Sequence, residues 1–187
     1  MSKKQEVQTL SPKEIAKKLK QELGVKNDLA VPRVEKIKVH AGIGTYTIKA
    51  NNKDFTPVVN NIMAITGQKP ITSKARKAIS NFKLRAGMPV GVSVTLRRKR
   101  MYDFLNKFIN IVMPRIRDFR GVSVKGFDGK GNYNIGLKDC NVFPEINIEN
   151  VDKPHGIGIS IITSAKNNRE GYVLLKAMGF PFKDEIK

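Results

Sequence analysis

The stretch "PVGVSVTLR" (residues 89–97) alternates strictly, with Val90, Val92, Val94 and Leu96 on one side and Gly91, Ser93, Thr95 and Arg97 on the other. A period of two predicts a strand with one face buried in a core and the other small, polar and open. The same alternation, centred on Ile37 and Val39, predicts a strand in "RVEKIKVHAGIG" (33–44), and "GIGISIITS" predicts a late one. "QKPITS" fits a short edge strand, because Pro70 has no N–H to give to a ladder. Helical spacing fills the intervals. "DFTPVVNNIMAITG" sets Val58, Ile62 and Ile65 on one face and stops at Gly67. "LSPKEIAKKLKQELG" opens with Ser11 as a cap, Pro12 in the first turn and Glu14 completing a capping box. Leu10 and Ile15 stand at staple spacing, and Gly24 is the stop. The apolar stripe of this helix is only Ile15, Leu19 and Leu23, so it belongs at an edge. "RMYDFLNKFINIVM" predicts an apolar helix ended by Pro114. "NNREGYVLLKAMG" predicts a final helix with Asn167 and Glu170 at capping-box spacing and Gly179 as its stop. "PRIRDFRG" reads as a basic turn, and "KGFDGKGNYNIG" as a glycine-rich loop entering a strand.

Strands and helices therefore interleave, which predicts an α+β fold: a mainly antiparallel sheet with helices packed on one face. No internal repeat or long linker breaks the chain. A polar tail (1–10) and a single domain (11–187) are the expected organisation.

Charge changes the picture. The 187 residues carry 35 Lys and Arg against 16 Asp and Glu, a net charge of +19. Such repulsion works against a compact state, so the economical reading is a polyanionic partner, and nucleic acid is the commonest. An anionic membrane surface competes, but no strongly amphipathic basic helix stands out in the pattern. The single cysteine, Cys140, excludes a disulfide framework and fits a reducing compartment. "MSKKQEVQTLSPKE" has no apolar core and no Arg, so neither a signal peptide nor a transit peptide is expected there. No run approaches membrane-spanning length.

Catalytic candidates are few. His40 and His155 have no metal-ligand neighbour at helical or hairpin spacing, and an ordinary surface or sheet role is expected for each. Cys140 lacks a Cys-x-x-Cys partner and reads as a small structural thiol. "GVSVKGFD" has the glycine spacing of a phosphate loop, but Phe127 and Asp128 stand where Lys and Ser/Thr are needed. "GIG" at 42–44 lacks the third glycine of a dinucleotide fingerprint, and "FDGKGN" lacks calcium-loop spacing. No catalytic residue, metal ligand or cofactor is assigned.

Between Asp54 and Asp103 there is no acid, where an even spread would place roughly four. Ten cations fall within this window: Lys69, Lys74, Arg76, Lys77, Lys83, Arg85, Arg97, Arg98, Lys99 and Arg100. A solvated face is the bland account of a run such as "RRKR". The longer acid-free stretch, joined to a small polar sheet face, points to phosphate contacts instead. Phe82, the one aromatic in "KPITSKARKAISNFKLRAG", has two roles open to it: stacking on an unpaired base or plugging the core. Spacing alone favours the core.

These strings carry a resemblance. "PRVEKIKVHAGIG", "ITGQKPITSKARKAISNFKLRAGMPVG", "VTLR", "PRIRDFRG", "FDGKGNYNIG", "FPEI" and "AKNNREGYVLLKAMGFPF" resemble, in order from about residue 10 to the end, the bacterial form of the large-subunit ribosomal protein five family. The resemblance implies a non-enzymatic, RNA-binding ribosomal protein, located in the cytoplasm within the ribosome. Its fold would be an RNA-recognition-like sandwich with a long flexible basic loop. The family's partners are 5S ribosomal RNA, large-subunit ribosomal RNA, peptidyl-site transfer RNA, small-subunit ribosomal protein thirteen and neighbouring central-protuberance proteins. A membrane is not among them. By position, the 5S surface falls on His40, Gln68, Phe82 and Thr95, with Arg97 next on the same polar row. His40 departs from the family, in which asparagine is usual. Lys74, Arg76, Lys77, Lys83 and Arg85 match the loop that reaches transfer RNA, and the small-subunit contact falls around residues 140–155. The alternative is an RNA chaperone or RNA-modifying accessory protein, which would need a pocket with a nucleophile, base or cofactor motif. A basic membrane-surface module is a further alternative.

Overall fold

The computed structural model describes residues 12–25, 27–44, 55–146 and 155–183. The period-two segments become five strands: β1 (Val34–Gly42), β2 (Ile71–Lys74), β3 (Pro89–Leu96), β4 (Tyr133–Leu137) and β5 (Ile157–Thr163). They form one antiparallel sheet in the order β2-β3-β1-β5-β4. Among the described residues four α-helices accompany it: α1 (Pro12–Leu23), α2 (Thr56–Thr66), α3 (Arg98–Lys107) and α4 (Asn168–Ala177). The predicted α+β class with a mainly antiparallel sheet is the class observed. The tail, Leu10, Ser11 and the Glu14 side chain lie outside the described residues.

The chain divides into two compact units. The larger part of the sheet belongs to the unit of residues 36–101 and 134–161. Here Ile37, Val39 and Ala41 of β1 alternate into the core with Val92, Val94 and Leu96 of β3 and Ile157, Ile159 and Ile161 of β5. α2 packs on β3 and buries Val58, Ile62 and Ile65, the three residues its spacing singled out. Each such side chain contributes about 1.5–3 kcal/mol by leaving water. Gly67 ends α2 at φ 64°, its N–H bonded to the Met63 carbonyl, a left-handed cap that a glycine adopts at no steric cost. β2 lies at the sheet's edge beside β3, as Pro70 requires.

The other unit gathers residues 1–35, 102–133 and 162–187. α1 is more clearly amphipathic and basic than expected from the sequence pattern, in which no strongly amphipathic basic helix stands out. Its apolar side is not free, because Leu19 is buried and the helix packs against α4. The predicted apolar helix up to Met113 does not stay α-helical. Beyond Lys107 it widens into a π turn (Phe108–Val112) and then tightens to a 3-10 turn (Met113–Arg115). Pro114 is the physical reason: it lacks an N–H, and its ring crowds the carbonyl four residues back. α4 also differs at its start. Asn167 makes no side-chain cap, and Glu170 instead accepts from the Lys166 N–H at 2.9 Å. Phe127, Tyr133, Tyr172, Phe180 and Phe182 form an aromatic cluster with centroids 4.8–5.9 Å apart. The Tyr133 hydroxyl donates to the Ser123 carbonyl at 2.8 Å, and burial pushes its phenol up to about 12.

Candidate nucleic-acid interface

The open side of the sheet follows from register. β1 and β3 pair Lys38 with Thr95, His40 with Ser93 and Gly42 with Gly91, while β2 sets Ile71 beside Ser93 and Ser73 beside Gly91. All of these lie on the face opposite the buried Val92, Val94 and Val39. A shallow depression on this face is lined by Lys38, His40, Ser73, Gly91, Ser93 and Ser160. It holds hydroxyls and two basic side chains, no acid, and glycines where a ligand backbone can come close. Burial lowers the His40 pKa, and the nearby Lys38 lowers it further, both favouring the uncharged ring.

The predicted residues divide. His40 and Thr95 stand on adjacent rows of this face, and Arg97 follows Thr95 at the strand's exit, fully outside the core. Gln68 is half-buried in the link from α2 to β2, where its carbonyl accepts from Thr66 Oγ1 at 3.2 Å. Phe82 sits in the turn beyond β2. Neither Gln68 nor Phe82 lines the depression. Lys38, Ser73 and Ser160 were not singled out from the sequence. Their signal was present, since Gly158 and Ser160 alternate with Ile157, Ile159 and Ile161 as Ser93 alternates with Val92 and Val94.

The basic segment between β2 and β3 has no strand pattern, yet it is paired. Ala75 donates to the Met88 carbonyl and accepts from the Gly87 N–H, while Ile79 and Leu84 exchange both backbone bonds. Ser80–Phe82 form a 3-10 turn closed by Lys83 at φ 50°. The result is a hairpin extension whose backbone is partly bonded and whose side chains point to solvent. Lys74, Arg76, Lys77, Lys83 and Arg85 are exposed. Among the described residues none of them has an ion pair, nor do Lys69 or Arg97–Arg100. Phe82 is 69% exposed, so the core plug that spacing favours is not its role.

His155 departs from expectation in another way, whereas Cys140 is a buried free thiol as read from the sequence. His155 is buried rather than a surface or open-sheet residue, and its Nδ1 lies 3.7 Å from the buried Cys140 Sγ. Burial lowers the His155 pKa, and its Nε2 has no hydrogen-bond partner among the described residues. Among those residues no group of three or more His, Cys, Asp or Glu is placed to hold a metal. No described helix is long and apolar enough to cross a membrane.

Residues 27–85 match the family model for ribosomal protein L5, and residues 89–182 match the model for the C-terminus of that ribosomal family. The chain is 55% identical over 171 residues to large ribosomal subunit protein uL5 of Bdellovibrio bacteriovorus, covering 91% of this chain and 94% of that one. It is 54% identical to uL5 of Halothermothrix orenii over 90% of this chain and 93% of the relative. For uL5 of a Synechococcus species the identity is 52%, over 95% and 98% of the two chains.

Proposed function

Since the chain belongs to the ribosomal protein L5 family, and is thus a structural, non-enzymatic, RNA-binding protein of the large ribosomal subunit, we propose that it holds 5S ribosomal RNA on the open face of its sheet. His40, Gln68, Phe82, Thr95 and Arg97 are the residues assigned to that contact. The basic hairpin, through Lys74, Arg76, Lys77, Lys83 and Arg85, reaches peptidyl-site transfer RNA. The segment around residues 140–155, part of which lies outside the described residues, meets small-subunit protein thirteen. The observation that carries this reading is the pairing of an acid-free, small-residue sheet face with exposed cations that have no counter-charge among the described residues. RNA phosphates would supply that counter-charge, and the small residues would let a backbone come close.

The test is selection of 5S RNA from total RNA at moderate salt by the purified protein. Thr95→Arg adds charge but blocks approach to the face. Specific 5S binding should fall by about tenfold, while non-specific binding holds or rises. Tighter 5S binding with its preference over other RNA intact would remove this face from the reading.

A further inference from the structure

We propose that Gly158 is a positioning residue for RNA binding: by lacking a Cβ it lets the His40 imidazole lie across β5 and wall the depression on the sheet's open face. The inference rests on the sheet-face reading above and adds a residue to it. A Cβ built on Gly158 would stand 2.4 Å from His40 Nε2, 2.5 Å from Cε1 and 3.1 Å from Cδ2. All three of these nearest atoms belong to that one ring.

The backbone offers no other reason for this glycine. Gly158 is not among the residues of positive φ, and it lies inside a regular strand. A glycine in a strand interior weakens the strand, because it has no side chain to pack and loses more freedom on folding. What the glycine provides is room. The ring reaches from β1 over Gly158 of β5; His40 pairs with Ser93 in the sheet, and Ser93, Ser160 and Lys38 line the same depression. β3 and β5 carry no charged side chain. Along this row the ring is the one group that combines a flat surface with a nitrogen able to accept or donate. Held against Gly158, it is fixed before RNA arrives, so less side-chain freedom is lost when a sugar–phosphate closes on the hydroxyls around it.

The experiment is a double-mutant cycle on the full chain, with Gly158→Ala, His40→Ala and the pair, reading 5S affinity at one salt concentration. Gly158→Ala should weaken binding about tenfold, the worth of one well-made hydrogen bond. In the His40→Ala background the same alanine should change affinity by less than about twofold, since the ring it displaces is gone. Equal losses in both backgrounds, or no loss in either, overturn the proposal. A second readout uses the free protein: by NMR the His40 titration midpoint should rise toward the ordinary histidine value in Gly158→Ala, and an unmoved midpoint overturns the ring contact. If Gly158→Ala does not fold alone, the double variant should fold and melt close to His40→Ala. Failure of both to fold assigns the glycine to β5 itself and overturns the proposal. The two possible failures separate. A wild type with no preference for 5S RNA sinks the sheet-face reading, whereas a wild type with that preference and no coupling sinks only the role of Gly158.

Discussion

Two glycine-bearing, lysine-bearing loops look alike in the sequence and are built in opposite ways. In "GFDGKGN" (126–132) the polar groups bond within the protein. Asp128 accepts from the Lys130 and Asn132 N–H groups and from Asn132 Nδ2 at 2.8–3.1 Å. Gly131 donates to Asn168 Oδ1, its carbonyl accepts from Thr163 Oγ1, and Asn132 Oδ1 accepts from the Thr163 N–H. In "KARKAISNFKLRAG" (74–87) the bonds are mainly backbone to backbone, and the cations and Phe82 face water. Lys83 also holds a left-handed φ of 50°, which costs a non-glycine residue about 1 kcal/mol. A loop whose polar groups are satisfied internally serves the fold. A loop whose charges are left over has them available for a partner.

The largest effect should come from tightening the first loop. A Cβ at Gly171 would meet the Gly131 carbonyl oxygen at 2.5 Å and its Cα at 3.0 Å, and backbone cannot move aside as a flexible side chain can. Gly171→Ala should therefore cost about 2–4 kcal/mol in a urea melt, against about 0.5 kcal/mol or less for Lys77→Ala in the hairpin. Equal costs would erase the distinction between the two loops.

The hairpin should show the reverse behaviour. Replacing Lys74, Arg76, Lys77, Lys83 and Arg85 together with alanine should leave the melting point almost unchanged, since none has an ion-pair partner among the described residues to lose. Peptidyl-site transfer RNA should dissociate from assembled ribosomes about tenfold faster, and the defect should shrink as salt screens the wild-type contacts. A large loss of 5S affinity with an unchanged transfer RNA off-rate would assign these cations to the 5S site instead.

The smallest effect is a pH dependence in the first loop. A hydrogen bond from the Asn132 side chain, opposed by burial and aided by further backbone N–H bonds, holds the Asp128 carboxyl below its ordinary value. A depressed folded pKa contributes stability that is present above the unfolded value and is lost as pH falls through the folded one. Asp128→Asn should therefore flatten the acid limb of a stability–pH curve and leave its neutral region less affected. Parallel acid limbs for variant and wild type would show that the carboxylate's bonds do not stabilise the fold.

Much of this was legible in the chain, element by element. The alternation in residues 89–97 placed Val92, Val94 and Leu96 in the core and Ser93 and Thr95 on the open face, because a strand's period ties burial directly to sequence position. Helical spacing did the same for Val58, Ile62 and Ile65. Charge counting located the uncompensated stretch, since an absence of acids needs no coordinates to be seen. The π turn before Pro114, the exposure of Phe82 and the burial of His155 were not legible. Each depends on what other segments leave room for. Spacing favours a core position for the single aromatic among the basic residues, and only the packing of the hairpin leaves it exposed. A histidine is buried or exposed according to packing that its neighbours in sequence do not specify.

The site shows the same division. Local pattern determined that one sheet face would be small and polar, and that the segment beyond β2 would be basic. Only register decided that His40 stands opposite Ser93 and Lys38 opposite Thr95. Only the packing of β5 within the sheet brought Gly158 beneath the imidazole, a contact between residues far apart in the chain. Local pattern can specify which way a side chain points, because that follows from backbone geometry within a few residues. What the side chain then meets is decided by strand order, which depends on burying all the apolar faces at once.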